Sequence, residues 1–252
     1  MSASGRGRGR MNSRWLVAGL YASGAVLTGV WIGPFEALLR SLFPQFKNVI
    51  YQGATPAELM VDHLLISLYS SAFGLLLAVL LSAVVLSRLG QVFRDVLLNL
   101  ANFLQTVPSV AVIGIVVPVI GYGMKPVIIA LVAYSVLPVM LNIVTGIESV
   151  APELVEAAEG LGMTKGQILF RVKVPLALPI IVAGIKNMVI INVSAATLGA
   201  LVGAGGLGMP IMAGIHDFNP AFIIQGAMPA AFIALFLDEL IRYEREDVWQ
   251  TQ

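Results

Sequence analysis

Apolar residues run along this chain in long blocks separated by short polar segments, with little of the apolar/polar alternation of a half-buried strand. Six blocks stand out, at residues 15–33, 63–87, 99–122, 126–147, 176–202 and 222–237. A helix needs about 20 mostly apolar residues to cross a bilayer, because backbone groups left unpaired in lipid cost several kcal/mol each. With His63 neutral, Lys186 is the one formal charge inside these blocks. The pattern predicts an all-α polytopic membrane protein with about six transmembrane helices.

Composition agrees. Of the 252 residues 58% are apolar and 12% charged, against about 25% charged in ordinary soluble domains. A net charge of +1 gives no reason to expect nucleic acid as a partner; membrane lipid is the expected surroundings. Basic residues set orientation by position, being retained in cytoplasmic connections. With the N-terminus inside, Arg6, Arg8, Arg10, Arg14, Arg88, Arg94, Lys165, Arg171, Lys173, Arg242 and Arg245 face the cytoplasm, against Arg40, Lys47 and Lys125 outside. Both termini are therefore expected in the cytoplasm. The opening "MSASGRGRGR" reads as the flank of an uncleaved first helix, since no small-residue cleavage site follows the apolar run.

The division expected is a basic tail, first span and external loop over 1–58, a permease core over 59–241 and a cytoplasmic tail over 242–252. Between the fourth and fifth blocks lies "EAAEGLGMTKGQILFRVKVP", residues 156–175. Pro152 suits the first turn of a helix, with Glu153 and Glu156 near the positive end of its dipole, which predicts a short helix from Pro152 to about Glu159. Gly160 and Gly162 are expected to interrupt it. Thr164 and Gln167 have the spacing of a capping box, predicting a second short helix from about Lys165 that ends by Pro175. Ile168, Leu169 and Val172 can share its apolar face.

These residues resemble the EAA loop of binding-protein-dependent ABC importer permeases. Glu156, Ala157 and Ala158 match its start, Gly162 its glycine, and Val172, Val174 and Pro175 its close. Further segments, "LQTVPSVAVIGIVVPVIGYG" from Leu104, "ALVAYSVLPVMLNIVTGI" from Ala130 and "ATLGALVGAGGLG" from Ala196, are similar to the osmoprotectant permeases for glycine betaine, carnitine and choline. Residues 1–58 carry no motif of that family. The resemblance implies a type I ABC importer (MetI-like) transmembrane domain in a bacterial inner membrane. Its expected partners are ABC ATPase subunits, an extracytoplasmic substrate-binding protein and a second permease copy, a homodimer or pseudo-symmetric pair. No cofactor is expected in this chain, with ATP and Mg on the partner ATPase. Glu156, Ala157, Ala158, Gly162, Lys165, Val172 and Pro175 would couple to that ATPase. The implied cargo is a quaternary-ammonium osmoprotectant; another small zwitterion, amino acid derivative or sulfonate is the alternative, and a stand-alone secondary transporter or channel the alternative of a different class.

The spans carry candidate pathway residues of their own. Pro108 removes a helix hydrogen bond and should kink or break the third span, freeing carbonyls for Thr106, Ser109, water or substrate. With Gln105, Tyr134, Asn192, Ser194 and Thr197 these polar positions mark either a pathway or interhelical hydrogen bonding. Tyr122, Tyr134 and Phe103 could give weak cation–π contacts but form no cage. Lys186 either snorkels to the cytoplasmic interface or pairs with a carboxylate such as Glu148. Gly203, Gly205, Gly206 and Gly208 match a dinucleotide fingerprint formally, but follow a membrane block where that fingerprint needs a strand; they are read as a flexible outer turn or gate. There is no P-loop and no Ser/His/Asp arrangement; His63 and His216 are isolated and predict no metal site, and with no cysteine thiolate chemistry is excluded.

Overall fold

The computed structural model describes residues 4–87, 90–104 and 106–241; Arg88, Arg242, Arg245, the expected tail over 242–252 and the pathway candidate Gln105 lie outside the described residues. Every regular element among those described is helical. They run α1 (Ser4–Gly29), α2 (Ile32–Leu42), α3 (Pro56–Val85), α4 (Gly90–Leu104), α5 (Ser109–Ile120), α6 (Met124–Glu148), α7 (Pro152–Gly160), α8 (Lys165–Ile168), α9 (Val174–Ala196), α10 (Gly208–His216) and α11 (Pro220–Leu240). A π-helical turn, Leu169–Lys173, joins α8 to α9, and a 3₁₀ segment, Thr197–Val202, extends α9.

Local chemistry explains several boundaries. Thr55 and Glu58 form a capping box around Pro56 at the start of α3, satisfying amide groups that the first turn leaves free. Four described helices are long and apolar enough to cross a bilayer: Pro56–Val85, Met124–Glu148, the continuous Lys165–Val202 and Pro220–Leu240. A fifth arises if α1 and α2 count as one broken span. Among the described residues this gives four or five spans where the hydropathy pattern predicts about six. The third block divides at Pro108, which begins α5 from an extended conformation, and the 12 residues of α5 are too few to cross alone.

α6 lies at the centre, buried from Pro126 to Ile147 between α3 and α9. Neighbouring helices meet where side chains are small. A Cβ on Gly184 of α9 would come within 2.6 Å of the Asn142 Cβ of α6, and one on Gly146 of α6 within 3.3 Å of the Ala177 Cβ. α1 approaches α11 the same way, through Gly24 at Phe232 and Gly29 at Pro229. These pairings run antiparallel, placing the ends of α6 and α11 and the start of α9 at one side of the bundle. The start of α3, the end of α9 and the start of α11 lie at the other.

Candidate functional site

The polar segment between α6 and α9 folds as two short helical pieces on that first side. α7 includes Gly160, so the expected interruption there does not occur; the chain turns at Gly162 alone, whose φ is +77°. The Gly162 amide donates to the Glu159 carbonyl at 2.9 Å and the Met163 amide to the Ala158 carbonyl at 3.1 Å, closing the helix in the left-handed manner that glycine favours. Thr164 then starts α8: the Gln167 amide donates to Thr164 Oγ1 at 3.4 Å, and the Thr164 amide to Gln167 Oε1 at 2.8 Å.

The second piece does not end by Pro175. It passes through the π turn into α9, one helix from Lys165 to Val202. In an α-helix Pro175 would crowd the carbonyl four residues back and donate nothing to it. The widened turn, in which the Val174 amide reaches the Leu169 carbonyl, accommodates the ring in the first turn of α9.

Burial divides the loop into an inner and an outer face. Ala158 and Ile168 are buried, whereas Glu156, Ala157, Lys165 and Pro175 are exposed and Val172 is half-buried. Leu154, Leu161 and Phe170 also face outward, Leu161 at 83% and Phe170 at 71% exposure. Beside the loop, Arg94 of α4 reaches Glu148 at the end of α6, its Nε donating to Oε1 at 2.9 Å, and also pairs with Asp95 at 3.0 Å. Hydrogen bonding to Glu148 raises the Arg94 pKa above its ordinary value. Glu148 is thus already engaged, and Lys186 instead meets Asp238 of α11, Nζ to Oδ1 at 2.8 Å.

The pathway candidates separate into two groups. At the α4–α5 break, Thr106 and Pro108 are exposed and Ser109 is half-buried; the Thr106 hydroxyl donates to the Phe103 carbonyl at 2.7 Å. On α9, Asn192 is fully buried and donates to Ser71 Oγ of α3 at 3.1 Å. Ser194 is exposed, and Thr197 donates to its carbonyl at 2.6 Å. Tyr134 is half-buried on α6. The Gly123 amide donates to the Val202 carbonyl at 2.8 Å, tying the far ends of α5 and α9. From that tie both Ser109 and Asn192 lie about 17 Å along their helices.

The glycine turn is not a loose outer loop. Gly206 and Gly208 are buried, a Cβ on Gly205 would collide with Asp62, and one on Gly206 would touch the His63 backbone at 3.4 Å. Positive φ at Gly203, Gly205 and Gly206 is what favours glycine in this turn, and Gly205 and Gly206 also pack against α3.

Residues 70–238 match the family model described as binding-protein-dependent transport system inner membrane component. The chain belongs to this family. Over 180 residues it is 39% identical to the glycine betaine/carnitine/choline transport system permease protein OpuCB of Bacillus subtilis, covering 71% of this chain and 82% of that one. It is 36% identical over 204 residues to the carnitine transport permease protein OpuCD of Listeria monocytogenes, covering 81% and 89%. The inward-facing MetNI methionine ABC transporter shares its fold, with a TM-score of 0.63 at 21% identity over 72% of this chain and 92% of that one. The protein is a multi-pass permease subunit of the bacterial inner membrane and not an enzyme.

Sequence reasoning missed the partners of the permease's buried polar residues. His63, Ser67, Ser70, Gly74, Ala78 and Ser82 are all buried along α3, a small and polar face at helical spacing that was available as a packing signal. Ser71 beside it receives Asn192, while Ser135 of α6 lies against Gly74. Ser70 Oγ and Asn192 Oδ1 are buried in this seam without a hydrogen-bond partner among the described residues, while the His63 ring faces the Val193 backbone.

Proposed function

We propose that this permease imports quaternary-ammonium osmoprotectants of the glycine betaine, choline and carnitine class by alternating access, driven by ABC ATPase subunits and supplied by an extracytoplasmic binding protein. The observation that carries the mechanical part is the loop between α6 and α9. It exposes Leu154, Leu161 and Phe170 on a segment otherwise polar enough for water, as a surface made to be covered by a protein partner would. α8 is also continuous with α9, so force on Lys165 acts on the helix that carries Asn192. Glu156, Ala157 and Ala158 form the other arm and Gly162 the bend, with Val172 and Pro175 at the root of α9.

The names of the similar permeases support the substrate class. The basic flanks favour a cytoplasmic loop and termini, with two permease copies enclosing the path. In that arrangement Thr106, Pro108, Ser109, Tyr134, Asn192, Ser194 and Thr197, with Gln105, are pathway candidates, and the turn at Gly203, Gly205, Gly206 and Gly208 helps close its outer end.

The test is ATP-dependent uptake of labelled glycine betaine and choline into proteoliposomes holding the permease with its co-purifying ATPase and binding protein. Native complex should accumulate at least one compound, and Gly162→Asp should abolish uptake. ATP hydrolysis without uptake of either compound would overturn the substrate class. Failure of any ATPase to associate would overturn the coupling role.

A further inference from the structure

The segment before the matched family region contains a helix that the transport mechanism does not use. α1 crosses the bundle against α11, and α2 turns away from it by 75°. With α1 as the crossing part of this broken pair, a helix at that angle to it lies close to the membrane plane. It sits on the side opposite the coupling loop, since its neighbours Val49, Ile50 and Ala221 flank the starts of α3 and α11.

α2 has three distinct sides. Phe35 and Leu39 are buried against Val49, Ile50 and Ala221. Glu36 and Arg40 pair on a second side, with Arg40 Nη2 donating to Glu36 Oε1 at 2.7 Å; the small or polar exposed residues Ala37 and Ser41 lie between that pair and the third side. Trp31, Leu38 and Leu42 form the third side, 65%, 47% and 57% exposed, spaced so that they fall in one stripe. This stripe flanks the buried side rather than opposing it.

We infer that α2 is an interfacial helix whose Trp31, Leu38 and Leu42 stripe rests in the lipid of the leaflet opposite the coupling loop. Three observations select lipid as the occupant. The stripe follows other exposed apolar residues, Leu20, Val26 and Leu27 of α1 and Val30 in the turn after it. A tryptophan stands at the bend, the depth at which its amphipathic ring is favoured. The charged pair lies on another side, as it does in helices lying in a headgroup region.

The seat has a structural consequence. The segment after α2 holds the α10–α11 turn: Asn219 Nδ2 donates to the Asn48 carbonyl at 2.9 Å, and the Tyr51 amide donates to Gln225 Oε1 at 2.7 Å. Lipid under α2 therefore braces the outer end of α11 through residues 43–55.

Two measurements test this on the full permease chain in vesicles. Trp15→Phe with Trp249→Phe leaves Trp31 as the single tryptophan of the chain's three. In vesicles of brominated phosphatidylcholine, its emission should be quenched more by bromines near the headgroup than by bromines near the midplane, by roughly twofold for a helix buried about 5–10 Å deep. Equal emission in brominated and plain lipid overturns the inference. Because the chain has no cysteine, each single variant carries one reactive thiol: Leu38→Cys and Leu42→Cys should react with a membrane-impermeant maleimide more slowly than Ala37→Cys and Ser41→Cys. Equal rates at all four overturn it. So does protection of the leucine positions that appears only on adding binding protein, or cross-linking of those positions between two permease copies.

Discussion

Neutralising Asp238 while keeping Lys186 tests how α9 tolerates a lysine within an apolar span. Nζ and Oδ1 are 2.8 Å apart, on side chains 24% and 43% exposed. At that separation, with an effective dielectric near 20, the gross attraction is about 6 kcal/mol. Most of it is cancelled, because both ions give up hydration and water still reaches Asp238. A net coupling of about 1–2 kcal/mol remains. Asp238→Asn strands the more buried member and should destabilise more than Lys186→Met, which strands the more exposed carboxylate. The assay is a double-mutant cycle on the detergent-denaturation midpoint of the permease in mixed micelles. The double variant should recover about 1 kcal/mol relative to the sum of the singles. A coupling below about 0.3 kcal/mol would refute the reasoning, since the lysine would then satisfy itself by reaching water and the pair would be incidental.

Other positions yield sharper contrasts. At Gly162 a Cβ meets nothing within 4 Å but φ is +77°, so the cost is conformational: Gly162→Asn should keep more bound ATPase than Gly162→Val, by about 1 kcal/mol, read by recovery of the ATPase on a tagged permease. Equal recovery would remove the backbone argument. Gly208→Ala drives a methyl into the Thr197 carbonyl and should lose monodisperse protein, at a cost of about 1–3 kcal/mol or more; Gly166→Ala, with open space around it, should not. Gln225→Leu removes the acceptor of the Tyr51 amide, a cost of about 1–3 kcal/mol, and should speed amide exchange over residues 48–54 by mass spectrometry. Thr164→Ala breaks the α8 capping box for about 1 kcal/mol, seen as faster exchange at residues 164–168 with exchange in mid-α9 unchanged.

Features that depend on neighbours within a turn or two were legible in the sequence. The long apolar blocks, the break at Pro108, both arms of the loop between α6 and α9 and the Thr164 cap follow from hydropathy and from the backbone chemistry of Pro, Gly, Thr and Gln. Its errors there were local as well: Gly160 stayed helical because a glycine in a last turn need not end it, and Pro175 was absorbed by a π turn. Which helix faces meet was fixed by long-range packing. A span that is apolar all round has no polar side to reveal its rotation, so nothing near Lys186 in sequence pointed to Asp238, and nothing near Asn192 to Ser71, 121 residues away. The burial of the glycine turn against Asp62 and His63 was hidden for the same reason. Hydropathy counts residues per crossing but not the direction of the axis, so the 75° bend at α2 and the shortness of α5 emerged only when the helices packed.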